Sequence, residues 1–237
     1  MSDLFLIAGH GEGDPGACSI WGKEADYTRE LVNLIKDKIG DRLSVTVYDT
    51  DKNCYEQSKK GNVPNYSKHK FTLEVHFNAK TKPDLAGDGY YTGVGGYYHP
   101  QNPGRDIADK IVDGIAALDF KIWLKDTSTG LLNLNNAQRQ NAKYFLLETA
   151  FIDDGDDMRW YNGHKETVAA CIASVLVNEL GDKKVKYYVR KEFSKGYSAE
   201  NQAGAFNSLE NALNCAMKYK GFSVFDDNGN IITKKQA

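Results

Sequence analysis

No CxxC pair occurs in the chain; its four cysteines, Cys18, Cys54, Cys171 and Cys215, are scattered. That spacing excludes a zinc knuckle and a vicinal redox pair, and leaves Cys171 and Cys215, in helix-like runs, as expected buried thiols. Long apolar runs are missing too. The longest, residues 145–147 and 171–177, fall far short of the roughly 20 residues that span a bilayer. A basic leader is absent: Met1-Ser2-Asp3 carries an acid, and the apolar run 4–8 is too short for a signal peptide. The expectation is synthesis in the cytoplasm without a signal peptide, any action outside depending on release by another agent. Net charge is also small, −2 over 237 residues. Neither a nucleic-acid partner nor membrane insertion is expected.

What is present suits a folded domain of ordinary make-up, with 41% apolar and 26% charged residues. The charge is uneven. Residues 183–237 hold ten Lys/Arg against five Asp/Glu, or +5, while residues 1–182 hold twenty against twenty-seven, or −7. A basic terminal module facing an anionic partner accounts for the asymmetry; so does chance variation in a short segment.

Hydrophobic periodicity places the elements. Residues 4–8 read as a buried strand ending at Gly9-His10-Gly11, followed by a Gly/Asp/Pro loop to residue 16. Tyr27, Leu31, Leu34, Ile35 and Ile39 mark a helix over 24–39, and Leu43, Val45 and Val47 a strand. Residues 51–70 read as a long loop with room for a short helix. Phe71, Leu73, Val75 and Phe77 alternate, which puts Glu74 and His76 on the opposite face. Residues 80–96 read as an extended loop, 104–118 as a helix, 144–152 as a buried strand and 165–180 as a closing helix. Strands alternating with helices predict an α/β fold, a mixed and mostly parallel sheet flanked by helices. Residues 181–186 read as a linker. A small C-terminal α+β module over 187–237 follows as β-α-β-β, with Asn207 and Glu210 as a helix-capping pair and Asp227-Asn228-Gly229 as a hairpin turn.

Two of the five histidines stand out by placement. His10 lies at the C-terminal end of the first strand, where open α/β sheets build their sites, and His76 lies near the end of a later strand. Two imidazoles and a carboxylate from separate elements suit a zinc ion that keeps a fourth position for water, although a lone strand histidine is more often a hydrogen-bonded core or surface residue. His69 and His99 read as loop residues and His164 as a helix-start or surface residue. Trp21, Trp123 and Trp160 fit either a sugar groove or the core.

Four ordered segments then carry a resemblance: Ala8-Gly9-His10-Gly11-Glu12-Gly13-Asp14-Pro15-Gly16-Ala17, Lys23-Glu24, Glu74-Val75-His76-Phe77-Asn78-Ala79, and Leu147-Glu148-Thr149-Ala150-Phe151-Ile152. Over residues 3–180 the chain resembles the zinc-dependent N-acetylmuramoyl-L-alanine amidases of the amidase type 3 family. The resemblance implies His10, Glu24 and His76 as zinc ligands. It implies Glu148 as the general base, then acid, for a water activated by zinc. Glu12 departs from the motif's glycine and is not expected to be a ligand. Asn78 either orients His76 or touches substrate, or makes a plain turn. Residues 81–95 are longer than the usual connection, an insertion that bears on substrate fit. The tail is similar to small wall-binding repeats of phage and clostridial lysins. The implied protein is an endolysin acting on peptidoglycan, its module 187–237 holding the wall or its anionic polymers. A zinc peptidase of the stem peptide and a non-catalytic wall-binding protein are the alternatives.

Overall fold

Five consecutive buried residues, Leu4 to Ala8, make strand β1 (Ser2–Ala8) covered on both faces, as a central parallel strand requires. The computed structural model describes residues 2–102, 104–182 and 184–233; of Glu210 and Thr233 it describes the backbone alone. After β1 come a two-residue hairpin, β2 (Cys18–Ser19) and β3 (Gly22–Lys23), then helix α1 (Glu24–Ile39), β4 (Val45–Val47), α2 (Cys54–Lys59) and β5 (His69–Asn78). The chain continues through β6 (Val94–Tyr98), α3 (Arg105–Ala116), β7 (Ile122–Thr127), α4 (Leu132–Arg139), β8 (Tyr144–Phe151) and α5 (Gly155–Leu180). The main sheet has the order β4-β1-β5-β8-β6-β7. All neighbours run parallel except β6 and β8. It is the mixed, mostly parallel sheet that the pattern predicts.

The two faces of this sheet differ in cover. Leu4, Leu6, Phe71, Leu73, Val75, Phe145 and Leu147 join α1, α3 and α5 in the main core. Phe5, Ile7, Tyr144 and Leu146 pack against Cys54, Leu134 and Ala137 of α2 and α4. These helices are short, of six and eight residues. Among the described residues no helix is long and apolar enough to cross a membrane.

Several expectations need correction. The segment read as a loop over 80–96 ends in a strand, because Val94-Gly95-Gly96-Tyr97-Tyr98 pairs with both β8 and β7. Strand β7 and helix α4 were not foreseen, and α5 starts ten residues earlier than the apolar periodicity suggests, its first turn capped by Asp154. His69 opens β5, stacked on Phe5 at 4.5 Å, and is no loop residue. Cys171 is buried, whereas Cys215 is half-buried.

The C-terminal part holds β9 (Tyr187–Arg190), β10 (Gln202–Phe206), α6 (Leu209–Ala216), β11 (Ser223–Phe225) and β12 (Ile231–Thr233). They form an antiparallel sheet of order β10-β9-β11-β12. The extra strand β10 makes the lobe β-β-α-β-β. Ser208 caps α6, accepting from the Asn211 N–H, where Asn207 was expected; the Glu210 side chain lies outside the described residues. The hairpin turn is as expected, with Asp226 accepting from the Asn228 and Asn230 amides.

This lobe is docked against the main domain. Tyr187, Val189, Ala212, Leu213, Val224 and Ile232 belong to the same apolar cluster as α3 and α5. Within the expected linker Val185 is buried, and its N–H donates to Asn178 Oδ1 at 2.6 Å; Lys183 lies outside the described residues. Arg42 also bridges to Asp226 and Asp227 at 3.4 and 3.2 Å.

Candidate metal centre

The chain leaves β1 through a sharp turn in which His10 takes a left-handed backbone, φ 65°. A non-glycine residue there is strained, on the order of 1–3 kcal/mol, and contacts on both sides hold it. Gly11 and Asp14 exchange backbone hydrogen bonds, and His10 Nδ1 meets Asp14 Oδ2 at 2.8 Å. Gly16 (φ 67°) closes the turn; a Cβ there would fall 2.6 Å from Glu24 Oε2, so the loop needs its bare backbone.

Glu24 begins α1 and is buried, 4% exposed. Its carboxylate sits between the two imidazoles: Oε2 lies 3.0 Å from His10 Nε2, and Oε1 lies 2.9 Å from His76 Nδ1. The backbone amides of Ala17 and Phe77 also donate to it. Burial opposes ionisation of Glu24, but the two histidines outweigh it and hold the carboxyl well below its usual range. One ligand atom from each of His10, Glu24 and His76 lies within 4.8 Å of the others.

Each histidine is backed on its far nitrogen by a carboxylate. Asp14 backs His10 and is itself fixed by the Gly16 amide and Asn53 Nδ2. Glu74 stands 3.5 Å from His76 Nε2 and is held by Asn133 and Tyr144. Such outer partners set the tautomer and raise the basicity of metal-ligating imidazoles. The donor set of two imidazoles and a carboxylate, backed in this way, fits a divalent metal.

Glu148 comes from β8, beside β5. His76 and Glu148 are paired in register, and the ladder slips immediately beyond, so that Asn78 pairs with Phe151. A bulge beside a site re-aims the side chains around it. Glu148 Oε2 is shut from solvent with no hydrogen-bond partner. Burial pushes its pKa up to about 7, against the pull of His76.

Sequence reasoning thus found four residues that the fold brings together, and missed Asp14, Glu74, Asn53, Asn133 and Tyr144. Asp14 sits within the first motif and four residues from His10, a signal that was available; the others are joined to the site by tertiary contacts alone. Asn78 ends β5, its Oδ1 accepting from the Ala79 amide. Glu12 is exposed. His164 lies inside α5, stacked on Trp160, and not at a helix start.

Comparison with known proteins supplies the family. The family model for N-acetylmuramoyl-L-alanine amidase matches residues 4–178. A probable autolysin PH of Staphylococcus aureus is 24% identical over 189 residues, covering 73% of this chain; the chain spans 38% of that relative's length. Among solved structures, the catalytic domain of the amidase CwlV from Bacillus (Paenibacillus) polymyxa var. colistinus superposes with a TM-score of 0.60 at 17% identity, covering 76% of this chain and 97% of the other. The catalytic domain of the CD27L endolysin targeting Clostridia difficile gives 0.59 at 21% identity, covering 75% and 98%. These identities speak for the fold, and the family match over three quarters of the sequence for descent: the chain belongs to the N-acetylmuramoyl-L-alanine amidase family.

Proposed function

We propose that the protein is a zinc-dependent peptidoglycan hydrolase cutting the amide between N-acetylmuramic acid and L-alanine, and that it serves as an endolysin. The observation that carries this reading is the convergence of His10, Glu24 and His76 from three elements beside a half-buried Glu148 whose Oε2 is shut from solvent without a partner. His10 Nε2, a Glu24 oxygen and His76 Nδ1 would hold the ion. When bound, zinc supplies Lewis acidity to the amide carbonyl and lowers the pKa of water to about 7.

The protein's own groups do the rest. Asp14 and Glu74 keep the imidazole protons on the nitrogens turned away from the ion, leaving His10 Nε2 and His76 Nδ1 with free lone pairs. The Glu148 carboxylate accepts the proton of the attacking water, holds it in an environment that favours the neutral acid, and passes it to the nitrogen of the leaving L-alanine. The bond from the lactyl carbonyl to that nitrogen breaks as the one to water oxygen forms.

Likeness to an endolysin catalytic domain supports the endolysin role. The basic surplus of residues 183–237 supports contact between the C-terminal lobe and anionic wall polymers. Digestion of purified cell walls tests the chemistry. New amino termini should be those of L-alanine, without new reducing sugar ends, and chelation should abolish the release until zinc is restored. Reducing ends would mean a glycosidase, and termini within the stem a peptidase. Reversing the exposed Lys218 and Lys220 to Glu tests the lobe: wall retention should weaken and lose its salt dependence. Unchanged retention removes the lobe's charge from the account.

A further inference from the structure

The site runs across the sheet in strand order: His10 from β1, His76 from β5, Glu148 from β8, then Gly95 from β6, which pairs with Glu148 in the antiparallel register. The next strand, β7, is the sheet edge and carries Trp123. Trp160 is stacked in the core on Phe120 with centroids 3.8 Å apart, but Trp123 is placed differently. The β6–β7 ladder slips at this point: Val94 pairs with Ile122 and Gly95 with Leu124, so Trp123 is the extra residue of a bulge. Its ring reaches over Gly95, where a Cβ would come 3.0 Å from Trp123 Cε3. It stands edge-on to Phe151 at 5.0 Å and to Tyr97 at 6.2 Å. Tyr97 lies two residues from Gly95 along β6. After burial, the nearby Glu148 carboxylate is the larger of the charges that push its phenol pKa up. Both rings remain partly exposed, and Tyr97 Oη has no hydrogen-bond partner among the described residues.

The two flanks of the site therefore differ. Beyond His10 stand the polar groups Asp14, Lys52 and Asn53, none of them a counterpart to Trp123, with the Tyr48 ring packed on Phe5 deeper along the sheet. Beyond Glu148 stand Tyr97 and Trp123, two strand spacings away at most, on the order of 10 Å. The proposed substrate is equally lopsided, with sugar on one side of the scissile amide and peptide on the other. A hexopyranose offers a flat face of C–H groups that packs on an aromatic ring, whereas a stem peptide offers amides and carboxylates. We infer that Trp123 and Tyr97 form the saccharide subsite, so that the glycan strand runs towards the β7 edge and the stem peptide towards the β1–β4 edge. This rests on the amidase reading above.

Titration of protein labelled with 15N in its tryptophans tests the subsite without turnover. The W123F spectrum assigns the Trp123 indole signal. Peptide-free GlcNAc–MurNAc oligomers should move that signal and free stem peptide should not. In hydrolysis of a glycan-linked peptide, W123A should lose about tenfold, the order one aromatic contact supplies, and the loss should fall on KM rather than kcat; W123F should keep most of the wild-type KM. Thermal melting separates these effects from misfolding, and the wild-type titration decides the matter if W123A does not fold. An indole signal unmoved by glycan, or one moved by stem peptide instead, overturns the inference even if L-alanine termini are released. A signal moved by glycan in a protein that releases none keeps the subsite and sinks the amidase reading.

Discussion

A carboxyl with one oxygen shut from water and no partner resists ionisation, and Glu148 is in that state. Burial pushes its pKa up to about 7, and a divalent ion held by the neighbouring ligands would draw it down. Because the base form does the work, kcat/KM should fall as pH drops below neutrality. E148Q should remove that limb and lower kcat by about 10²–10⁴ with zinc content unchanged, as metal analysis would show. A full-rate E148Q would end the assignment. The motif made Glu148 legible in the sequence, since an acid among Phe145, Leu146, Leu147 and Ala150 needs a reason to be there. The carboxylates behind the histidines were not legible, because Glu74 reaches Asn133 and Tyr144 only through the tertiary fold. Asp14 gives the cleaner test. D14A should weaken zinc binding by about 10- to 100-fold, measured by competition with a chelator, while its melting temperature changes little. Unaltered affinity would reduce Asp14 to a loop residue.

At the scale of elements, sequence reading succeeded where a pattern was strong and local. Helix α1 was read to its bounds from Tyr27, Leu31, Leu34, Ile35 and Ile39. It failed for β6, whose two glycines hide a strand, for the short edge strand β7, whose apolar half gives way to Lys125, Asp126 and Thr127, and for the first turns of α5, where Asp156, Asp157, Asn162 and Gly163 mask the helix. That α5 starts at Gly155 is due to Asp154, whose side chain accepts from the Asp156 and Asp157 amides. The same buried carboxylate binds Lys80 Nζ at 2.7 Å and Thr92 Oγ1 at 2.7 Å, which ties the segment before β6 to the helix. Burial opposes its ionisation, but Lys80, Thr92 and the Asp157 amide outweigh burial and hold its pKa below the ordinary value. The native state thus binds the proton less well than the unfolded chain. The stability Asp154 adds is present above about pH 4 and is lost as pH falls through its lowered pKa. D154A should cost about 2–4 kcal/mol at neutral pH in denaturant unfolding, from a lost cap and an unpaired lysine. The cost should shrink in acid; a pH-independent difference would deny the ionic part.

At the scale of the whole molecule, α5 decides how the two sheets are joined. Seven successive residues of it, Cys171 to Val177, are buried. A helix buried at seven successive positions is covered on every side. The main sheet with α1 and α3 covers part of its circumference, and the C-terminal lobe covers the rest: Asn178 donates to Tyr187 Oη at 2.7 Å, and Tyr187, Val189, Leu213, Val224 and Ile232 close the apolar cluster. The sequence carried this sign in the stretch 171–177, where Ser174 is the one polar residue and which an amphipathic surface helix would not show. The family match ends at residue 178, before this lobe begins. Each of those side chains contributes roughly 1.5–3 kcal/mol when fully buried. Removal of residues 181–237 uncovers their partners on α5, so the remaining domain should melt about 10 °C or more below the full chain and aggregate on heating. A deletion product that melts with the full chain would mean that the lobe is tethered and not structural. Because the deletion changes stability as well as any wall contact, the charge reversals at the exposed Lys218 and Lys220 are the variants that isolate binding, whereas Lys191 Nζ lies over the Phe222 ring beside this cluster.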